Sequence, residues 1–214
     1  MHGLLSTHLL RTAGESMPRA QQFGRDQAVI FRGAGGAELY EVIQGWLRVV
    51  GECPDGRRVS HDVMGAGEVF GEMALLGGRP RVATVEAIGT AHVRRFSQGW
   101  SERALASDPA LRLQLMELVV RRARDANSRY EDRVFFDVPT RLARRLVDLA
   151  SRFGRGEPVT LPRLTHAALA ELVGATRESV SKHMAQWVRD GTLEVTRTAL
   201  VVRAPEHLRA CAEL

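Results

Sequence analysis

A string of residues in the first half of the chain has the types that bind an anion. Gly71 is followed by Glu72, Met73 and Ala74, and a glycine before a short helical turn exposes backbone N–H groups that can bind an anion. Arg81 can return on the next strand, where its planar guanidinium suits a phosphate. A ribose 2′-hydroxyl that donates to the glutamate would explain a carboxylate beside a phosphate. The string predicts a site for a cyclised ribose phosphate; a hairpin with a surface glutamate–arginine pair is the alternative.

A second string, between residues 165 and 182, has the pattern of two short helices joined by a tight turn. Ala170 is small where the helices would approach each other, and Gly174 allows the turn. This pattern predicts a helix–turn–helix. The apolar residues that would form the core between its helices are Leu169, Leu172, Val173, Val180 and Met184.

The second of these helices presents polar residues that can read DNA. Arg177 can donate two hydrogen bonds to guanine, and Glu178 can accept one from cytosine. Lys182, one turn further on, can reach guanine or a phosphate, and a solvated helix face with a Glu178–Lys182 ion pair is the alternative. The residues expected at DNA are Thr165, His166, Thr176, Arg177, Glu178, Ser179 and Lys182, with Thr165, His166 and Thr176 at phosphates.

The elements that must position these strings differ along the chain. Residues 18 to about 98 consist of short apolar runs between glycine-rich breaks, which predict the short strands of a sandwich or barrel. Residues 109–135 contain no glycine, and Asp108 and Pro109 suit the N-cap and first turn of a long helix. After a break at Pro139, a helix from Thr140, a strand, the two short helices and a hairpin follow in the order of a winged helix–turn–helix.

The predicted long helix carries a stripe with alternating spacings of four and three residues, which is a heptad pattern. Such a stripe suits contact between two copies of the helix in a homodimer. Packing of the stripe on the β region of the same chain is the alternative. The stripe consists of Met116, Val120, Ala123, Asn127, Tyr130 and Val134.

Composition narrows the function classes. The 214 residues are 44% hydrophobic and 26% charged, with a formal net charge of +5, which is typical of a globular chain that permits a polyanionic partner. Two cysteines are too few for a disulfide framework or for a four-cysteine iron–sulfur cluster within one chain. This low cysteine content is typical of a protein in a reducing cytoplasm. The start is a poor signal peptide and no apolar run reaches ~18 residues, so we expect no membrane partner. Residues before Met17 are expected to be a loosely ordered extension.

Catalytic and metal-binding motifs are absent from the sequence. A Walker loop, HExxH, GxSxG and CxxC do not occur, so we expect a protein that is not an enzyme. Cys53, His61 and His92 form no evident ligand set. We therefore expect no metal, haem or iron–sulfur cluster.

The string from Gly71 to Val85 resembles the phosphate-binding cassette of cyclic-nucleotide-binding domains, and residues 39–49 and 55–57 resemble their earlier strands. The C-terminal part resembles the matching DNA-binding half. Residues 18–205 thus resemble the cyclic-AMP receptor protein and fumarate–nitrate regulator (CRP/FNR) family of bacterial transcription regulators. The resemblance implies an α+β chain with an N-terminal β-roll (18–108), a long dimerisation helix (109–136) and a C-terminal winged helix–turn–helix (137–214).

The resemblance also implies a function. The implied protein is a cytoplasmic homodimer whose allosteric effector is cyclic AMP. It binds two-fold symmetric double-stranded DNA and works with RNA polymerase. Val82 stands where the family often has serine, and Ala126 where it often has threonine. Three alternatives follow: a regulator without effector that is controlled by its abundance, one with another ligand such as a cyclic dinucleotide, or a module that gates a partner protein. The implied effector-binding residues are Gly71, Glu72, Met73, Ala74, Arg81, Val82 and Asn127.

Overall fold

The computed structural model describes residues 5, 9, 17–52, 55–56, 58–154 and 158–213. The chain divides into two compact units. The N-terminal unit comprises residues 1–54 and 61–126, and the C-terminal unit comprises residues 55–60 and 127–214. Within the described residues, none of the helices is both long enough and apolar enough to span a membrane.

Eight short strands lie among the described residues before residue 97; seven of them coincide with apolar runs between glycine breaks, and the strand at Ala20–Phe23 was not predicted. They form two four-stranded sheets with the orders β1-β8-β3-β6 and β2-β7-β4-β5. In the first sheet β3 pairs antiparallel with β8, and Val42 lies opposite Val93. The strands are β1 (Ala20–Phe23), β2 (Ala28–Ile30), β3 (Leu39–Gln44), β4 (Leu47–Glu52), β5 (Arg58–Met64), β6 (Val69–Phe70), β7 (Thr84–Ala87) and β8 (Ala91–Phe96).

The core of this unit lies between the two sheets, where each contributes the apolar residues of its inner face. Val42 and Val93 from one sheet join Leu47 and Val85 from the other in one cluster of buried residues. Burial of apolar area is the main favourable term that holds such sheets together. The described N-terminal residue Leu9 is buried in a second cluster, so at least this part of the expected loose extension packs on the domain.

Three helices of the N-terminal part of the chain lie wholly within the described residues. They are α1 (Glu72–Gly77), α2 (Gln98–Ser107) and α3 (Pro109–Phe135). Helix α2 was not predicted from the sequence, and its N-cap Ser97 accepts a hydrogen bond from the backbone N–H of Trp100 at 3.3 Å. Helix α3 begins as expected, since the carboxylate of Asp108 accepts from the backbone N–H of Leu111 at 3.0 Å.

Helix α3 has two apolar faces rather than one. Leu111, Leu115 and Leu118 are buried against strand residues such as Leu39 and Phe96. The heptad stripe lies on the other face. The alternative prediction, that this stripe packs on the β region of the same chain, is therefore wrong. The stripe residues Met116, Val120, Ala123, Asn127, Tyr130 and Val134 are all exposed.

The C-terminal unit has the order of elements that the sequence predicts, with one additional helix. Helix α4 begins at Val138 rather than at the expected Thr140. Pro139 is tolerated in its first turn because its missing N–H has no intrahelical partner there. The elements are α4 (Val138–Phe153), β9 (Val159–Pro162), α5 (His166–Val173), α6 (Arg177–Arg189), β10 (Leu193–Val195), β11 (Ala199–Val202) and the unpredicted α7 (Pro205–Ala212), with a sheet order of β10-β11-β9.

Candidate functional site

The turn between β6 and α1 leaves no room for a side chain at residue 71. Gly71 has a φ of +94°, in the region that favours glycine. A Cβ atom there would lie 2.5 Å from the backbone oxygen of Glu38 and 2.9 Å from Nη1 of Arg81. Glycine at this position therefore lets the arginine approach the backbone of the cassette turn.

Helix α1 begins directly after this glycine, with Glu72, Met73 and Ala74 in its first turn. The first N–H groups of a helix have no intrahelical acceptor, so those of Met73 and Ala74 remain able to donate. Glu72 and Ala74 are buried, whereas the side chain of Met73 is exposed. The turn thus combines backbone donors with a buried carboxylate.

Arg81 lies against this turn and is only 4% exposed. Its Nη1 donates to the backbone oxygen of Gly71 at 2.9 Å, and its Nη2 donates to the backbone oxygen of Glu38 at 3.0 Å. Its guanidinium also lies over the ring of Tyr40, 5.6 Å from the centroid. The guanidinium is thereby held in one position beside α1.

The remaining positions expected at the effector lie directly after Arg81 and on α3. Val82 follows Arg81 directly in the chain, and its side chain is 60% exposed. Ala126 and Asn127 are exposed on α3, and Asn127 belongs to the C-terminal unit. The structure therefore brings together the six residues from the cassette string, and Asn127 lies in the other compact unit.

Arg122 of α3 is a site residue that the sequence analysis missed. Its Nη1 donates to Oε1 of Glu72 at 2.6 Å, and its Nη2 donates to the backbone oxygen of Val69 at 2.9 Å. Burial lowers the pKa of Arg122, but the adjacent charge and hydrogen bond of Glu72 outweigh this effect, and the pKa is raised. Arg122 therefore stays charged and neutralises the glutamate. Neither its spacing nor its helix distinguishes it from the neighbouring arginines.

The second carboxylate oxygen of Glu72 has an unusual environment. Glu72 is 1% exposed, and its Oε2 has no hydrogen-bond partner among the described residues. Buried polar atoms are nearly always hydrogen-bonded, so such an atom calls for an explanation. An acceptor of this kind fits a hydroxyl donor from a ligand.

Glu38 is the second residue that the sequence analysis missed. Its Oε2 accepts from Nη2 of Arg81 at 2.8 Å, and its Oε1 accepts from Nη2 of Arg95 at 2.6 Å. Burial raises the pKa of Glu38, but the hydrogen bond and charge of Arg95 and the charge of Arg81 lower it further, so the net shift is downward. Glu38 is thus a charged carboxylate between two arginines. No pattern around it in the sequence points to this role.

Each helix of the helix–turn–helix in the C-terminal unit has a threonine as its N-cap. Thr165 accepts from the backbone N–H of Ala168 at 3.1 Å, and Thr176 accepts from that of Ser179 at 3.2 Å. Gly174 ends α5 with a φ of +64°, which is the left-handed conformation that helix ends favour. The hydroxyl groups of both threonines therefore cap helices, while their residues remain exposed.

Helix α6 presents the expected base-reading side chains to solvent. Arg177, Glu178 and Lys182 are exposed, whereas Val180 and Met184 are buried. In the part of the chain that the structure describes, no salt bridge joins Glu178 to Lys182, so the ion-pair alternative is absent. The described chain thus leaves these polar groups available to a partner.

Two contacts fix the turn between α5 and α6. Nδ1 of His166 lies 2.8 Å from the hydroxyl of Ser181, so one ring nitrogen of the expected phosphate contact is already engaged. Arg141 of α4 donates to the backbone oxygens of Val173 at 3.0 Å and Gly174 at 3.3 Å. Arg141 was missed in the sequence analysis, and it ties α4 to the end of α5.

Metal-binding side chains do not cluster in the described residues. No group of three or more histidine, cysteine, aspartate or glutamate side chains there could hold a metal ion. Of the residues considered as ligands, His61 is exposed and His92 is partly buried, and Cys53 lies outside the described residues.

Two family models match the chain. Residues 20–108 match the cyclic nucleotide-binding domain, and residues 140–211 match the Crp-like helix-turn-helix domain. A CRP-like cAMP-activated global transcriptional regulator from Mycobacterium tuberculosis is 32% identical over 190 residues, which cover 87% of this chain and 84% of that protein.

Solved structures have the same fold. FixK2 from Bradyrhizobium japonicum superposes with a TM-score of 0.81 at 21% identity and covers 91% of this chain and 96% of its own. The c-di-GMP responsive global regulator CLP from Xanthomonas campestris superposes with a TM-score of 0.69 at 21% identity, over 87% of this chain and 94% of its own. Both similarities establish the arrangement of elements.

Proposed function

The chain belongs to the CRP/FNR family of bacterial transcription regulators, and from that premise we propose that cyclic AMP controls its binding to DNA. The observation that carries the proposal is the buried Oε2 of Glu72, which has no partner among the described residues. A ribose hydroxyl would satisfy this oxygen. The cassette around it supplies the positive groups that a cyclic phosphate needs.

Each part of the nucleotide has a candidate partner. Arg81 would hold the phosphate together with the backbone N–H groups of Met73, Ala74 and Val82, and Gly71 would keep the turn open. Glu72 would accept from the ribose. Asn127, on the exposed stripe of α3, would both donate to and accept from the base of a nucleotide in the partner subunit.

The DNA-binding half would read bases through α6. In the proposed homodimer two copies of α6 lie about 34 Å apart, which matches successive major grooves of a two-fold symmetric site. Arg177, Glu178 and Lys182 would contact bases, with Ser179 beside them on the DNA-facing side of α6, and Thr165, His166 and Thr176 would contact DNA phosphates. We further propose that the protein works in the cytoplasm with RNA polymerase as a partner and has no enzymatic activity of its own.

Isothermal titration of the purified full chain with cyclic AMP tests the effector. We expect micromolar binding that is lost in Arg81→Ala and kept in Arg79→Ala, because Arg79 is an exposed residue two positions away in the same loop. DNA affinity measured by fluorescence anisotropy on a palindromic site should rise when cyclic AMP is added. Heat release that survives in Arg81→Ala would contradict the role of this arginine.

A regulator that needs no effector is the second candidate. Two observations favour it: residue 82 is valine, without a hydroxyl for the phosphate, and residue 126 is alanine, without a hydrogen bond for the base. No heat with cyclic AMP, combined with tight binding to palindromic DNA, would select this candidate. A parallel titration with cyclic di-GMP covers a different ligand, because a regulator of the same fold is described as responsive to c-di-GMP.

A further inference from the structure

We propose that Glu38 is a built-in competitor of the effector: its carboxylate binds Arg81 and must be displaced by the phosphate. The inference rests on the proposed function, because it assumes that a cyclic nucleotide places its phosphate at Arg81. It adds a residue outside the cassette string that sets the affinity of the site.

The contacts of Arg81 identify the competitor. Of the acceptors that Arg81 contacts, two are backbone oxygens, of Gly71 and Glu38, and one is the charged Oε2 of Glu38 at 2.8 Å. Carboxylates and phosphates bind the guanidinium fork in the same way, through charge-assisted hydrogen bonds. The Glu38 carboxylate therefore occupies a donor of Arg81 Nη2 that a phosphate oxygen could otherwise bind.

Burial makes this competition strong. The side chain of Arg81 is 4% exposed and that of Glu38 is 15% exposed, so water screens their interaction poorly. A phosphate that entered while the carboxylate stayed in place would meet a second negative charge beside the same guanidinium. The ligand must therefore move the carboxylate away or bind with the repulsion uncompensated.

Arg95 gives the displaced carboxylate a second partner. Its Nη2 already donates to Oε1 of Glu38 at 2.6 Å, and its side chain is 53% exposed. The carboxylate is thus shared between a buried arginine and an arginine at the surface. Retention by Arg95 alone would release Arg81 for the phosphate and keep the glutamate charge paired.

This arrangement predicts opposite effects for two substitutions. Glu38→Gln removes the competing charge with little change in shape, so cyclic AMP should bind about tenfold more tightly than to the wild type, the effect of one charge-assisted hydrogen bond. Arg95→Ala removes the second partner, so Glu38 stays on Arg81 and cyclic AMP should bind several-fold more weakly. Because Arg95 is half exposed, Arg95→Ala should fold normally, and it tests the role of Glu38 even if Glu38→Gln folds poorly.

Isothermal titration of the full chain with cyclic AMP gives the dissociation constants, and circular dichroism melting verifies that each variant folds. Glu102→Gln is the matched control, because it removes an equal charge from an exposed position on α2. Tighter binding by Glu38→Gln alone, or binding by Glu38→Gln where the wild type shows none, supports the inference. Equal dissociation constants for the wild type, Glu38→Gln and Arg95→Ala overturn it and leave cyclic AMP control intact. If neither the wild type nor Glu38→Gln binds cyclic AMP while both still bind DNA, the role of Glu38 and the control by cyclic AMP are both overturned.

Discussion

Oε1 of Glu72 lies 2.6 Å from Nη1 of Arg122, although the two residues are separated by 50 positions in the sequence. The first belongs to the turn that would receive the effector, and the second belongs to the long helix α3. A ligand that hydrogen-bonds Glu72 therefore acts on the side chain that also contacts α3. This pair is a direct contact between the cassette turn and the helix that carries the exposed heptad stripe.

Loss of Arg122 should destabilise the N-terminal unit. Arg122→Ala leaves the Glu72 carboxylate buried without its counter-charge, which we expect to cost roughly 3 kcal/mol in the free energy of unfolding. Urea denaturation followed by circular dichroism measures this value. Arg124→Ala, an exposed arginine two positions further along α3, serves as the control, and an equal effect of both variants would contradict the role of the pair.

A charge in the heptad stripe should break the proposed homodimer without unfolding the chain. Val120 is 49% exposed in the single chain, so Val120→Glu has little to disturb within one subunit but would place two carboxylates in the proposed dimer contact. Sedimentation equilibrium should show a monomer with unchanged circular dichroism. Ser128→Glu introduces the same group away from the stripe and should remain dimeric, and a dimeric Val120→Glu would exclude this stripe as the contact.

Substitution of Arg177 should change sequence preference rather than overall affinity. Arg177→Ala removes a bidentate contact to guanine, so it should cost about 1–3 kcal/mol on the preferred site and relax one base position in each half. Arg177→Lys keeps the charge but loses the fork, and it should relax the same position. Fluorescence anisotropy on a site selected from random DNA, and on single-base variants of it, separates these effects. A uniform loss on all sequences would mean that Arg177 contacts only phosphates.

The cap of α4 should give a pH-dependent contribution to stability. Asp137 accepts hydrogen bonds from Thr140, including one from its backbone N–H at 3.1 Å, and these lower the pKa of Asp137. Because the pKa of Asp137 is lower in the folded than in the unfolded state, its charged form stabilises the protein above the unfolded-state pKa of about 3.9. This stability is lost as pH falls through the pKa of the folded state.

Asp137→Ala should therefore cost about 1 kcal/mol at neutral pH, with a cost that shrinks below about pH 4. Asp137→Asn keeps a good cap without the charge and should show no such trend relative to Asp137→Ala. Urea denaturation of the three proteins between pH 3 and pH 7 gives the curves. A cost for Asp137→Ala that does not change over this range would show that the charge of Asp137 adds nothing to the cap.

Local sequence signals were enough for most of the elements. Glycine breaks delimited the strands, Asp108 and Pro109 located the start of α3, and Thr165 and Gly174 delimited α5, because turns and caps depend on the conformation of one or two residues. The same local reasoning missed α2 and α7, whose apolar patterns are short. It also placed the start of α4 at Thr140 instead of Val138, since a proline can either precede a helix or occupy its first turn.

The sequence by itself determined the family, the order of the elements, and which residues of the cassette and of α6 are candidates for ligand and DNA. Those conclusions rest on residue type and short spacings, which the linear chain preserves. Only the tertiary structure decided that Arg122 neutralises Glu72 and that Glu38 lies between Arg81 and Arg95. These contacts join residues that are 43 to 57 positions apart in the sequence. The partner of a buried charge depends on where side chains lie in three dimensions, which no local pattern encodes.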